Sequence, residues 1–197
     1  MKTNSKIRLV CVVAILGALA GVLMLIEFPL PIAPPFYKVD LSLVSALLAG
    51  FSLGPVAGLL VCLVKVLISI LLNGTTTAFV GEFAALLMDS SFTLCAALIY
   101  KKEHTKKGAI KALIWATVTL MLVGGATNYF ILVPAYVKFM NIPLEAIVAM
   151  GNAIFKSVNS LFTLILFCTV PFNLIKGLII SIVTYLLYKR VSPLLRG

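Results

Sequence analysis

Residues 170–190 read VPFNLIKGLIISIVTYLLYKR. Most of this stretch is apolar enough to sit in lipid. Near its start, just after Pro171, Asn173 and Lys176 stand three residues apart. An ionisable group inside an apolar span is expensive, and such a group faces a cavity or a partner. The plainer readings are an interhelical hydrogen bond for the amide and a snorkelling lysine. Snorkelling fits poorly, because several turns of apolar helix separate Lys176 from the basic end at Lys189. Pro171 lies a turn or less before the pair, where a kink would open the helix toward a pocket.

The rest of the chain has the same character. Of its 197 residues 62% are hydrophobic and 11% are charged. A soluble domain of this size has no core large enough for that much apolar surface, so the expected solvent is a bilayer. The net charge of +10 would suit nucleic acid if it formed a patch. Instead the charges gather at short joints between apolar runs, which argues for cytoplasmic loops and against nucleic-acid binding. The four cysteines (Cys11, Cys62, Cys95, Cys168) lie singly within apolar runs, and His104 is the one histidine. That pattern offers no zinc or iron–sulfur site, and no metal is assigned; packing is the expected role of the cysteines.

Six apolar segments follow one another, near 7–26, 41–53, 56–72, 78–100, 109–133 and a last one ending at Tyr188. A mixed stretch, 134–156, precedes the sixth. The first could pass for a signal peptide, but the run continues through Ile26, long enough to span, and is read as a retained helix. The second is short, roughly 20 Å for its length, so it is either enclosed by its neighbours or extended by flanking residues. Lys2, Lys6 and Arg8, the lysines at 101, 102, 106, 107 and 111, and Lys189, Arg190 and Arg196 hold eleven of the sixteen basic residues. This bias predicts six spans with both termini cytoplasmic. No repeat or linker divides the chain, so 1–197 is read as a single integral membrane domain.

Counting about 1.5 Å per helical residue from the basic ends gives depths. Lys176 falls roughly 20 Å up, Asn173 and Asn128 roughly 25 Å, and Glu27 and Glu82 roughly 28 Å. In a hydrocarbon core of about 30 Å these groups converge on the outer third, from four different spans. Each acid taken alone also fits the headgroup region. Lys65 and Asp89 fall near mid-depth and read as a neutralising ion pair.

Between the first two segments lies EFPLPIAPPFYKVD (27–40), whose four prolines predict an ordered, non-helical loop. Phe36, Tyr37, Lys38 and Asp40 ride on it. Over a polar pocket such a loop would act as a lid stacking on a flat ligand; in isolation it reads equally as an interfacial aromatic anchor. Asn152, Lys156 and Asn159 recur as one stripe of a short helix. In the first segment Ala14-x-x-x-Ala18 and Gly17-x-x-x-Gly21 bring small residues to overlapping faces, for docking or for internal packing. There is no GxxxxGK[ST], HExxH or GxSxG, so an enzyme reading has little support and any energy input comes from an ion gradient or partner subunits.

Together LMLIEFPLP, KVDLSLVSALLAGFSLGPVAGLL, GEFAALLMDSSFTLCAALIYKK and VPFNLIKGLIISIVTYLLYKR resemble the riboflavin-specific substrate-binding (S) component of energy-coupling factor (ECF) vitamin transporters. Pro-Phe-Asn-x-x-Lys-Gly is the most specific part. The resemblance implies an all-α bundle of six transmembrane helices, an extracellular lid loop between the first two, and tight riboflavin binding in the bacterial cell membrane. It implies partnership with a transmembrane T component and two ATPase subunits, with riboflavin as transported ligand and no catalytic cofactor. Asn173 and Lys176 would bond the polar edge of the isoalloxazine ring, and Ala14 and Ala18 would face the T component. Asn128 and Asn141 are both candidates for a further asparagine. The family often has Lys-Asn where this chain has Lys65-Val66. The chemistry suits the ligand, because an amide matches an imide and an ammonium suits a carbonyl. Glu82, Asp40 or Asn152 would accept from the ribityl hydroxyls, and Tyr37 would wall the ring. The competing readings are a stand-alone ion-coupled carrier and a membrane scaffold without a ligand.

Overall fold

The computed structural model describes residues 2–75 and 77–196, with side chains described from 6 to 191 apart from 76. Its elements are α1 (Lys2–Leu25), β1 (Phe28–Pro29), β2 (Lys38–Val39), α2 (Ser42–Leu53), α3 (Pro55–Asn73) and α4 (Val80–Lys102). There follow α5 (Lys106–Thr127), a π-turn (Asn128–Leu132), α6 (Val133–Phe139) and α7 (Leu144–Asn152). The chain ends with α8 (Leu161–Leu164), a second π-turn (Ile165–Thr169) and α9 (Val170–Arg196). Among the described residues five helical stretches are long and apolar enough to cross a membrane: Lys6–Met24, Pro55–Asn73, Val80–Lys102, Lys106–Phe139 and Leu161–Val191.

The short second segment is enclosed by its neighbours. Every residue of α2 from Ser42 to Ser52 is buried, among α1, α3, α4 and α9. It forms the centre of the main core with Phe92, Leu120 and Ile180. Gly54, at φ +100°, takes a conformation that costs glycine little, and Pro55 follows at the start of α3, where its missing N–H is no loss. Gly17 and Gly21 lie against Val64 and Ile68 of α3, with no room there for a methyl group. Ala14 and Ala18 are exposed on the next face. The two small-residue motifs therefore separate: the glycines pack inside, and the alanines look out. Cys62 and Cys168 are packed as expected, whereas Cys11 is exposed.

The loop 26–41 is non-helical, as its prolines dictate. It is held by the antiparallel pairs Phe28–Val39 and Pro29–Lys38 and by an ion pair between Lys38 and Glu27.

Three boundaries differ from the sequence reading. The fifth helix does not stop at Val133 but passes through Pro134 to Phe139. Proline lacks an N–H, and its ring crowds the carbonyl four residues back. Here the Val133 N–H reaches five residues back, to the Asn128 carbonyl, and the widened turn makes room. Near Pro171 there is likewise an irregularity of hydrogen-bond register. It is the π-turn just before the proline, closed by the Val170 N–H on the Ile165 carbonyl. Finally, Asn152, Lys156 and Asn159 do not share a helix. α7 ends at Asn152, whose amide donates to the Lys156 and Val158 carbonyls at 3.2 and 2.9 Å. A short polar side chain here closes a loop rather than extending a stripe.

The basic turn at 101–111 and the end of α9 share one end of the bundle. The Tyr100 and Tyr188 rings are 6.0 Å apart, and Lys106 lies beside Lys189. The loop 26–41 lies at the opposite end.

Candidate functional site

At that opposite end a cavity of about 550 Å³ opens between the loop and the helices. Its size lies within the range of small-molecule sites, roughly 300–1,000 Å³. Five of the candidate ligand contacts meet on its wall, Tyr37, Asp40, Asn128, Asn173 and Lys176, and Glu27, Phe36 and Lys38 line it too. Lys65 and Asp89 also reach it. Three of the candidate ligand contacts do not: Asn152, whose amide closes the loop after α7, Glu82 and Asn141. Glu82, in the first turn of α4, accepts from the Thr77 hydroxyl at 2.8 Å and sits behind that wall residue. Asn141 is exposed at φ +52° in the turn after α6, a backbone state that asparagine tolerates better than most residues. Its neighbours Met140 and Ile142 line the cavity in its place.

The two π-turns build the polar wall. Asn128 opens the first and donates to the Gly124 carbonyl at 2.7 Å. Asn173 lies just beyond the second and donates to the Thr169 carbonyl at 3.0 Å. Tyr37 of the loop joins them. Its hydroxyl donates to Asn128 Oδ1 at 2.9 Å and lies 2.8 Å from Thr169 Oγ1. A phenol has a single proton, so Thr169 is the donor in the second bond. Burial pushes the Tyr37 phenol well above its ordinary pKa, which keeps that proton in place. One loop side chain thus ties both helix breaks together.

Gly124 explains how the two asparagines fit. A methyl group there would come within 2.5 Å of the Asn173 amide nitrogen. The residue therefore offers its carbonyl to Asn128 and its bare Cα to Asn173.

The charges form a compensated set. Lys176 Nζ is 3.7 Å from Asp40 Oδ2, and Lys65 Nζ is 2.5 Å from Asp89 Oδ2. The expected Lys65–Asp89 pair is therefore present, and it is almost completely buried, at 1% and 3% exposure. Asp40 also accepts from the Ser42 N–H at 2.8 Å and from the Ser42 hydroxyl, which fixes the start of α2. Burial alone would raise the Asp40 carboxyl, but Lys176, Lys65 and Ser42 outweigh it and hold the group at about 2.

Adjoining the polar edge is an aromatic cluster. The Tyr37 ring is 5.2 Å from Phe172 and 4.5 Å from Phe36, which meets Tyr136 edge-on at 6.2 Å. Aromatic rings and amide, ammonium and carboxylate groups lining one cavity suit a flat, amphipathic, hydrogen-bonding molecule. Gly124, Thr169 and Tyr136 were not singled out from the sequence, and Phe172 entered only as part of the Pro-Phe-Asn signature. The pair Gly124-Gly125 inside an apolar span was a signal, since each glycine costs a helix about 1 kcal/mol against alanine.

Fold and site together define a multi-pass helical membrane protein with a ligand-sized polar pocket at one end. The chain belongs to the ECF transporter substrate-specific component family, whose pattern matches residues 8–188. It is similar to the riboflavin transporter RibU of Staphylococcus aureus (strain TCH60), at 41% identity over 93% of this chain and 90% of that one. It is also similar to the riboflavin transporter FmnP of Bacillus subtilis (strain 168), at 30% identity over 95% and 94%. A solved structure of the S component of a bacterial ECF transporter superposes with a TM-score of 0.74 and 37% identity, covering 98% of this chain and 99% of that one.

Proposed function

We propose that this protein captures riboflavin at the outer face of the bacterial cell membrane and delivers it as the S component of an ECF transporter. The observation that carries this reading is the pairing of the Asn173–Lys176 edge with the aromatic wall of Phe36, Tyr37 and Phe172. The amide matches the imide of isoalloxazine, the ammonium meets a ring carbonyl, and Asp40 accepts from the ribityl chain. Asn128 donates to the Gly124 carbonyl and, weakly, to the Met88 sulfur at 3.9 Å, and the second of these is the bond a ligand would replace. Glu82 acts only through Thr77 in this arrangement, and Asn141 has no contact role.

The reading extends to the assembly. The whole chain, 1–197, is one integral membrane domain without catalytic activity. Its six membrane helices comprise the five apolar spans and the enclosed α2, and the loop 26–41 is the lid. Both termini are cytoplasmic; the side chains of Lys2 and Arg196, which enter that charge argument, lie outside the described residues. The exposed Ala14 and Ala18 face the T component, and two ATPase subunits supply the energy.

The absorption spectrum of the detergent-purified protein tests the ligand directly, since bound flavin is yellow. Added riboflavin should be quenched at about one equivalent. The Asn173→Ala, Lys176→Ala double substitution removes a neutral and a charge-assisted bond, together about 2–4 kcal/mol, or roughly 30- to 1,000-fold in affinity. Wild-type affinity in that variant would overturn the site assignment. A stand-alone carrier would instead take up riboflavin in proteoliposomes with a proton gradient and no ATPase. The closed Lys65–Asp89 pair speaks against such coupling, because a relay needs acids free to load and unload.

A further inference from the structure

A second concave surface lies away from the pocket, between α5 and α9. It is a groove of about 370 Å³, floored by Leu113, Thr117 and Ser181 and edged by Val118, Leu178 and Ile182. The hydroxyls on its floor are already satisfied. Thr117 donates to the Leu113 carbonyl at 2.9 Å, and Ser181 Oγ lies 3.3 Å from Thr117 Oγ1 and is left to donate to it. The surface is therefore apolar in practice. From Leu174 to Leu186 it runs roughly 18 Å along the helix, close to the roughly 15 Å of hydrocarbon in one leaflet.

The groove does not end in neutral surroundings. At its lower end Ile110 and Ile114 are shared with a smaller hollow of about 270 Å³ that also carries Lys107, Lys111 and Trp115. Lys107 and Lys111 are four residues apart, so two like charges stand on one helical face, which is unfavourable without a counter-charge. One turn beyond the groove, Lys106 lies beside Lys189, a second unfavourable pairing. The segment 101–111 holds five lysines and one carboxylate, Glu103, and Glu103 accepts from the Thr105 hydroxyl. The half-exposed indole of Trp115 is the side chain that seats at a headgroup boundary.

An apolar track one leaflet long, opening onto crowded lysines and a tryptophan, matches a lipid with one chain in the track and an anion at the mouth. We propose that the α5–α9 groove binds one anionic glycerophospholipid of the leaflet on the basic side, its acyl chain along Leu178 and Val118 and its phosphate among Lys107, Lys111 and Lys189. Basic pockets between membrane helices bind anionic headgroups in this manner. A helix of a partner protein would also fit an apolar groove, but the like charges at the mouth, without an ion-pair partner among the described residues, favour the lipid. This inference does not depend on what occupies the pocket at the other end.

The test is native mass spectrometry of the full chain released from nanodiscs of phosphatidylglycerol mixed with phosphatidylcholine. One phosphatidylglycerol should be retained in preference to phosphatidylcholine, by about tenfold or more. Changing Lys107, Lys111 and Lys189 to Gln should abolish the preference, and changing the same three to Arg should keep it. Lys101, Lys102, Lys106 and Arg190 remain in both to hold the topology. Val118→Trp, which fills the track and leaves every charge in place, should reduce retention of the lipid itself. Equal retention of the two lipids by the wild type would overturn the proposal and leave the groove to passive solvation or a partner helix. Undiminished preference in the Gln variant, or undiminished retention in Val118→Trp, would overturn it as well.

Discussion

The two helix breaks make an instructive pair. NYFIL-VP (128–134) and ILFCT-VP (165–171) each place a five-residue π-turn immediately before Val-Pro. Both widen a membrane helix at the level of the pocket, and each is associated with one buried asparagine. Their use of that asparagine differs. Asn128 is the first residue of its turn and spends its carbonyl on Tyr37 and an amide hydrogen on Gly124. Asn173 lies four residues beyond its turn and spends one amide hydrogen on Thr169. Both breaks hold the loop 26–41 through Tyr37, the first by the Asn128 side chain and the second by the Thr169 hydroxyl, while Asn173 stands on the cavity wall without a bond to the loop. The same local device ties an asparagine to the loop or leaves it facing the cavity according to where the residue falls relative to the extra turn.

Crossing the two asparagines is the sharpest way to break this comparison. Asn173→Leu should weaken riboflavin binding by roughly 5- to 150-fold, since the imide edge of the ligand is left unpaired in a buried site. Its effect on the empty protein should be small, about 1 kcal/mol. Asn128→Leu should show the reverse weighting. It removes the acceptor for Tyr37 and the donor to Gly124, so the empty protein should lose about 2–3 kcal/mol. Thermal midpoints and fluorescence quenching, measured on both variants, separate the two roles; equal losses in both measurements would refute the division. Next in size is Gly124→Ala, which touches both breaks. Its methyl group would press on the Asn173 amide, and binding should fall by about 10- to 100-fold. Stability should change little, because alanine regains about 1 kcal/mol of helix propensity.

How much of this was legible beforehand follows from the physics of each feature. The opening pair, Asn173 and Lys176, was readable because a charge inside an apolar run is costly, and depth counting placed it with Asn128. The Lys65–Asp89 pair was readable for the same reason. The enclosed second segment was flagged by its length, though which neighbours cover it is a tertiary fact. The π-turns were not legible. Proline in a membrane helix signals either an end or a kink, and only the hydrogen-bond register distinguishes these from a widened turn. Asn141 and Glu82 show the limit of residue type as evidence. One is an asparagine suited to a left-handed turn; the other is a carboxylate at a helix N-terminus, where it is favourable without any ligand. Gly124 and Thr169 stayed hidden because their roles are a missing methyl group and a backbone carbonyl.

Smaller effects test the bridge between the breaks. Tyr37→Phe keeps the ring against Phe172 but leaves Asn128 Oδ1 and the Thr169 hydroxyl without their shared partner. The empty protein should lose about 1–2 kcal/mol. Hydrogen exchange should rise in the loop 26–41 rather than in α9, if the loop is what the bridge restrains. The least effect at ordinary pH comes from Asp40, whose carboxyl is held at about 2 against an ordinary 3.8. A depressed folded value means that its stabilising contribution is complete above about 3.8 and is lost as pH falls toward 2. The thermal midpoint should therefore be insensitive to Asp40 between pH 8 and about 4, then decline. Asp40→Asn should remove this acid-side component while lowering stability at neutral pH, because Lys176 and Lys65 lose a counter-charge. An acid-side decline of the same depth in Asp40→Asn would assign it to other carboxylates and leave Asp40 with its capping of α2 alone.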